Sequence, residues 1–268
     1  MTHNPRIFWN GAAATREQHD EVYGLFAEVR KRVAESRPDA LIVVSNDHLD
    51  NFFLDTMPQF CVGIAEQASG PFWYESEIMH IPSYRARVDV VLAKDLLEAG
   101  VSRGIDFAQA GEFRLDHAFT VPLSVARPEQ DLPIVPVFTN TFAYPLATPE
   151  RFLAVGRTIR ELIRGRPAAE RIAVVATFNL SVEVGGPKMG TRDQDLDREA
   201  LELIGKGRAQ DILDRFPVER LMAAGNSTAE FLNYHAVLGL VEDRVPDLCE
   251  YRQVPAWGGC PIVVWNAA

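Results

Sequence analysis

The chain has 268 residues, of which 47% are hydrophobic, and it carries a formal net charge of -10 at neutral pH. This acidic balance argues against nucleic acid or an anionic membrane as the main partner, because both bind to basic surface patches. No apolar run approaches the length of a membrane-spanning helix, and the N-terminus lacks the basic start and apolar core of a secretory signal.

The distribution of apolar residues predicts alternating helices and strands. Helical spacing over residues 16–36 predicts an amphipathic helix that ends before Pro38, and the apolar run 40–45 is typical of a strand buried on both faces. The further predicted elements are helix 86–99, a weak strand at 107–113, strand 132–140, helix 149–164, strand 171–178, and helices 193–206 and 228–241. This alternation indicates an α/β fold with helices on both sides of a central, mostly parallel sheet. Since no repeat or long linker interrupts the chain, we predict a single domain over residues 1–268.

Two histidines follow predicted strands, where functional sites form in open α/β sheets. Strand 40–45 runs directly into Asn46-Asp47-His48, which places an imidazole at the carboxyl edge of the sheet. A plain loop cap is the alternative, because Asn and Asp favour turns. His117 follows a strand-like segment and is a candidate acid, base or substrate hydrogen-bond donor, or else a structural histidine bonded to a backbone carbonyl.

Two more residues could complete a metal site. His3 is followed by Pro5, which fixes the backbone, although chain starts are usually disordered. Glu230 lies in residues 225–230, a segment that looks like a helix start. A glutamate at such a position commonly caps the helix or interacts favourably with the helix dipole. Together with His48, these side chains are the components of the 2-His-1-carboxylate triad, which binds Fe(II) on one face and leaves the opposite positions open.

Four segments in the same order resemble the class III (LigB-type) extradiol ring-cleaving dioxygenases. These are residues 45–63, 115–123, 134–140 and 225–230. The resemblance implies a LigB-like α/β fold and Fe(II) bound by His3, His48 and Glu230. It also implies that His117 is the remaining acid or base, that a catecholic or related aromatic substrate is cleaved with O₂, and that the chain forms a homodimer or higher oligomer.

The chain departs from this family pattern at one segment. The base histidine of the family lies in a G-G-L/M-S-H run, and the matching run here is Phe178-Asn179-Leu180-Ser181-Val182. Valine therefore stands where the base is expected, and Phe178 and Asn179 replace two glycines. Three hypotheses stay open: ring cleavage, a different metal-dependent reaction that needs no base, and a non-catalytic subunit.

The remaining polar residues give weaker indications. His235 is five positions beyond Glu230, about 140° around a helix, so we do not expect it to be a co-ligand. The Gly- and Pro-containing segment 185–194 is either a lid or a plain surface loop. The three cysteines lack metal-binding spacing, which favours free thiols in a reducing compartment and hence a cytoplasmic protein.

Overall fold

Strands and helices alternate along the computed structural model, which describes residues 1–8, 14–254 and 258–266. The strands are β1 (Ala40–Asn46), β2 (Phe60–Gly63), β3 (Gln67–Gly70), β4 (Tyr84–Arg87), β5 (Ala108–Ala110), β6 (Ile134–Thr139), β7 (Ile172–Ala176), β8 (Leu248–Val254) and β9 (Gly258–Val264). The α-helices are α1 (Arg16–Ser36), α2 (Trp73–Met79), α3 (Val90–Ser102), α4 (His117–Ala126), α5 (Pro149–Arg164), α6 (Gln194–Gly205), α7 (Ala209–Arg215), α8 (Val218–Ala223) and α9 (Leu232–Val241).

A five-stranded sheet in the order β5-β2-β6-β1-β7 forms the centre of the molecule. Strand β1 pairs in parallel with both β6 and β7. Strand β2 runs antiparallel to β6 and parallel to β5. The predicted mostly parallel sheet is therefore confirmed, and the pairs β3–β4 and β8–β9 form small separate antiparallel sheets.

Helices cover both faces of the central sheet. Every residue of β1 is buried, as the continuous apolar run predicts. Ile42 and Val44 pack into the core cluster shared with α3, α5 and α9, whereas Leu41 and Val43 pack on the opposite face with α4. Helix α1 lies outside α4. The result is a single α/β domain, and none of its described helices is long and apolar enough to cross a membrane.

Some predicted boundaries are wrong for identifiable reasons. Helix 86–99 begins at Val90, because Tyr84–Arg87 pairs with β3 and the Asp89 side chain caps the helix by accepting the Leu92 N–H at 2.9 Å. Helix 228–241 is divided into a 3₁₀ turn, Thr228–Phe231, followed by α9. Helix 149–164 is confirmed, as is the helix over 16–36, which begins with a capping box at Thr15.

The first residues of the chain are tied to the sheet by backbone hydrogen bonds. The Met1 nitrogen donates to the Ala176 carbonyl at 2.8 Å, and the Phe178 N–H donates to the Met1 carbonyl at 3.1 Å. The Thr2 N–H donates to the Pro261 carbonyl at 2.9 Å. The segment before His3 thus extends the edge of β7, which removes the disorder that is usual at a chain start.

Helices α5 and α9 cross closely because each has a glycine at the contact. A Cβ atom added to Gly156 would lie 1.8 Å from the Ala236 carbonyl oxygen, and one added to Gly239 would lie 2.2 Å from the Leu153 carbonyl oxygen. No larger residue fits at either position without moving the helices apart. This crossing fixes α9 and, with it, the 3₁₀ turn that precedes it.

Candidate metal centre

Four side chains from distant parts of the chain meet beyond the carboxyl end of β1. Glu230 Oε2 lies 3.1 Å from His3 Nε2, and Glu230 Oε1 lies 3.5 Å from His48 Nε2. The His117 ring stacks on the His48 ring with 4.0 Å between centroids. One nitrogen atom from each of the three histidines lies within 4.8 Å of the other two. The structure therefore brings together all four residues that the sequence singles out, without deciding their roles.

A buried aspartate orients His48. Asp116 Oδ2 accepts the His48 backbone N–H at 3.0 Å and lies 2.9 Å from the ring Nδ1. Its other oxygen accepts the Ala118 N–H at 2.9 Å and thereby caps α4. With Nδ1 directed to Asp116, the Nε2 atom of His48 is left to face Glu230. This is the usual arrangement around a metal-binding histidine.

His117, the first residue of α4, has a carboxylate partner of its own. Glu75 Oε1 lies 2.6 Å from His117 Nδ1 and accepts the His117 backbone N–H at 2.8 Å. The Glu75 side chain is fully buried, and 12% of the His117 side chain is exposed. Although Asp116 precedes His117 in sequence, it bonds His48, so the two histidines have separate carboxylates.

Asn179 joins the N-terminal segment to the carboxylate of the site. Its Nδ2 donates to Glu230 Oε2 at 2.6 Å and lies 3.3 Å from His3 Nε2. Its Oδ1 accepts the Thr2 hydroxyl at 3.2 Å. Glycine, which the family resemblance predicts at this position, has no side chain for these bonds.

Burial and neighbouring charge act in opposite directions on the groups of the site. Burial disfavours the ionised form of Glu230, but attraction to His3 and His48 prevails and holds the pKa of this carboxyl well below its usual range. Burial lowers the pKa of His3, against the opposing effect of Glu230. A neutral His3 beside an ionised Glu230 is the state in which both can bind a metal ion.

The pKa of His48 is shifted the other way. Burial would lower it, but Asp116 and Glu230 together outweigh that effect and raise it well above its usual value. Two carboxylates therefore attract positive charge to this ring. A metal ion bound at Nε2 would supply the same charge in place of the proton.

The donor set suits a transition-metal ion. Glu230 Oε2 lies 3.1 Å from His3 Nε2 and Oε1 lies 3.5 Å from His48 Nε2, so one carboxylate contacts both imidazoles. Neutral imidazoles and a carboxylate also suit divalent iron chemically.

Val182 lies next to the turn that carries Glu230. Its N–H donates to Thr228 Oγ1 at 3.2 Å, and its carbonyl accepts the Ser227 N–H at 3.3 Å. Segment 185–191 beyond it is exposed, and its role as a lid stays a prediction.

His235 is fully buried on α9 against the Phe231 ring.

The contacts of the site that the sequence does not predict all join residues that lie far apart in the chain. Asp116 has a visible signal, because an aspartate before a helical run is a good N-cap, but its bond to His48 has none. Glu75 lies on a helix too short to show a period. Asn179 stands out as a departure from the family glycine, although nothing in the sequence indicates that its amide reaches Glu230.

Known proteins resemble this chain over most of its length. The family model "Catalytic LigB subunit of aromatic ring-opening dioxygenase" matches residues 1–260. A 2,3-dihydroxyphenylpropionate/2,3-dihydroxicinnamic acid 1,2-dioxygenase of Klebsiella pneumoniae is 28% identical over 232 residues, which cover 86% of this chain and 71% of that protein. The protein of the same name from Photorhabdus laumondii is 27% identical over 238 residues, with 88% and 71% covered.

A solved structure shares the fold. The uncharacterized protein JW3007 from Escherichia coli K12 has a TM-score of 0.58 at 17% sequence identity, with 88% of this chain and 91% of that chain covered. At such low identity the likeness concerns the fold alone. The family match, by contrast, extends over nearly the whole sequence. The chain therefore belongs to the family of catalytic LigB subunits of aromatic ring-opening dioxygenases.

Proposed function

We propose that the protein is a non-haem Fe(II)-dependent extradiol-type dioxygenase that cleaves a catecholic or related aromatic ring with O₂. One observation carries this proposal: His3, His48 and Glu230 converge on a buried point although they lie far apart in the chain. The family supports it, as do curated relatives named for 2,3-dihydroxyphenylpropionate and 2,3-dihydroxicinnamic acid.

We assign the iron to His3, His48 and Glu230 and leave His117 for proton transfer. Among the described residues, His3 and His48 are the histidines within salt-bridge distance of the Glu230 carboxylate. Two imidazoles and one carboxylate would hold the ion. His117 lies beside this set, stacked on His48, and its polar partner is Glu75.

The chemistry is divided between the ion and the protein. When bound, Fe(II) supplies coordination positions for the two hydroxyl oxygens of a catechol and for O₂. His117 can accept a hydrogen bond from a substrate hydroxyl or donate one, at the ring nitrogen that Glu75 leaves free. The Phe142 ring, 5.2 Å from the His48 ring, supplies an apolar wall beside the substrate position.

Iron content and oxygen uptake test the proposal together. Anaerobically reconstituted protein should hold one Fe(II) per chain and consume O₂ with at least one member of a panel of substituted catechols. His48→Ala and Glu230→Ala should lose both iron and uptake. His117→Ala should keep its iron and lose rate by roughly 10²–10⁴-fold. The exposed His19, changed to Ala, is the matched control. A wild-type chain that binds no iron and consumes no O₂ would refute the proposal.

Val182 favours one alternative, a family member whose ring-cleavage activity is altered or lost. Valine cannot accept a proton, so such a chain would carry out a different metal-dependent reaction or serve as a non-catalytic subunit. Val182→His separates the possibilities. A rise in catechol cleavage by about 10²-fold or more would mean that only the base is missing. No rise, with full iron occupancy, would mean that the substrate or the reaction has changed.

We further propose a cytoplasmic protein that forms a homodimer or a higher oligomer and acts on a small aromatic molecule. The three cysteines are free thiols, as expected in a reducing compartment. Light scattering of the purified chain tests the oligomeric state, and a monomer at micromolar concentration would contradict this part.

A further inference from the structure

Glu75 is a fully buried carboxylate that lies outside the proposed set of iron ligands. Among the described residues, no lysine or arginine forms an ion pair with it, and its salt-bridge partner is His117. Oε1 accepts the His117 backbone N–H, and Oε2 accepts the Phe72 backbone N–H at 2.9 Å. Burying a carboxylate without a cation is costly unless hydrogen-bond donors surround it. Here the donors are two backbone amides and one imidazole.

The contact between Glu75 and His117 defines which ring nitrogen carries the proton. Nδ1 lies 2.6 Å from Oε1, an oxygen that already accepts the His117 amide. With Nδ1 as the donor to this carboxylate, the neutral form of the ring has its lone pair on Nε2. The ring stacks on His48 at 4.0 Å between centroids and lies 5.8 Å from the His3 ring, which places it beside the proposed iron ligands.

The backbone contact makes this arrangement rigid. The same Glu75 carboxylate binds both the amide and the ring of His117, so a rotation of the ring breaks the shorter of the two bonds. Glu75 is also fixed at the start of α2, where Oε2 bonds the Phe72 amide. The imidazole is thus held between a carboxylate on one side and the His48 ring on the other.

Because valine stands where the family resemblance predicts the base, the position of the proton on His117 matters for the reaction. Among the described histidines near the site, His117 is the one that is not a proposed iron ligand. An Nε2–H tautomer could only donate to a substrate hydroxyl, whereas a bare Nε2 can accept from it.

We propose that Glu75 is a positioning residue that acts through His117: it fixes the ring proton on Nδ1 and holds the bare Nε2 toward the substrate. The orientation of the ring follows from the two contacts that Glu75 makes with His117. What the bare nitrogen does to the substrate rests on the proposed function.

The tautomer can be observed directly in the full chain. Long-range ¹H–¹⁵N correlation spectra of histidine-labelled protein, with and without Zn²⁺ as a diamagnetic substitute for iron, should show His117 protonated at Nδ1 and bare at Nε2. In Glu75→Gln the amide can turn either its oxygen or its NH₂ toward the ring, so Nε2–H should become populated. Ser76→Ala on the same helix, which removes a bond to the Phe72 carbonyl, should leave the tautomer unchanged. A wild-type Nε2–H tautomer would overturn the proposal without any variant.

Steady-state kinetics provide a second test of the role of Glu75. With the catechol that the wild type oxidises fastest, Glu75→Gln should lower kcat by roughly 10- to 100-fold, with KM changed less than about threefold and iron occupancy unchanged. Glu75→Asp, which keeps the charge, should recover part of the rate. Loss of iron in parallel with kcat, or equal losses in the Gln and Asp variants, would mean a structural role and overturn the proposal. If the wild type consumes no O₂, the proposed function fails while the spectra still test Glu75.

Discussion

Asn179 connects the Glu230 carboxylate to the N-terminal segment of the chain. It holds one oxygen of Glu230 at 2.6 Å, and the same side chain bonds Thr2, next to His3. A carboxylate with one oxygen held in this way has its other oxygen free for the metal ion. We therefore regard Asn179 as a clamp between two proposed iron ligands that reach the site from opposite ends of the chain.

Removal of this clamp should weaken iron binding. Asn179→Ala leaves Glu230 Oε2 without its shortest hydrogen bond, and we expect the dissociation constant for Fe(II) to rise by about tenfold. Competition with a chromophoric chelator under anaerobic conditions measures the change. Asn226→Ala is the matched control, because that amide bonds the exposed Val184 backbone. Equal affinities in the two variants would show that Asn179 does not position the carboxylate.

The residue scale also shows what a sequence alone can predict about the site. His48 and Glu230 fall in segments that resemble a family in the same order, and that resemblance also implies His3 as a ligand. Glu75 has no such signal, because its partner lies 42 positions away and no local pattern connects them. Pairings between distant side chains depend on how the elements pack, which no window of neighbouring residues contains.

At the scale of elements, α5 and α9 cross so closely that no side chain larger than hydrogen fits at their contact. Gly156→Ala places a methyl group 1.8 Å from the Ala236 carbonyl oxygen, so the helices must separate. We expect a loss of about 2–3 kcal/mol in the free energy of unfolding, measured by urea denaturation. Gly24→Ala in α1, where nothing lies within 4 Å, should instead stabilise by about 0.5–1 kcal/mol. A Gly156→Ala variant with an unchanged free energy of unfolding would contradict the close contact.

The elements that the sequence predicted well are the long ones. Helices α1 and α5 span 21 and 16 residues, enough for their apolar period to be unmistakable, and β1 is a continuous apolar run. The strands β2, β3 and β4 have four residues each, too few to establish an alternation. Their pairing, including the antiparallel contact of β2 with β6, is decided by neighbours far away in the chain.

At the scale of the whole molecule, a buried histidine should make stability depend on pH. Burial lowers the pKa of His235 to about 4, whereas an unfolded histidine titrates near 6.5. Between these values the unfolded chain binds more protons at His235 than the folded one. The contribution of His235 to the free energy of unfolding is therefore complete above pH 6.5 and is lost as the pH falls toward 4. The shift corresponds to about 3 kcal/mol in the free energy of unfolding.

Substitution of this ring tests the assignment. His235→Leu should flatten the decline in stability between pH 7 and pH 4.5 by about 2–3 kcal/mol, measured by chemical denaturation at each pH. His19→Leu, at an exposed position of α1, is the control for losing a histidine as such. A variant at position 235 that follows the wild-type curve would show that other groups cause the acid sensitivity.

The backbone bond between Met1 and Ala176 spans 175 positions, and it has a consequence for synthesis. A ribosome adds about 5–20 residues per second, so roughly ten seconds or more separate the emergence of His3 from that of the strand edge that receives it. Glu230 follows later still. A nascent chain arrested before residue 170 should therefore be unable to retain iron, and we expect the ion to be captured only after Glu230 has been synthesised.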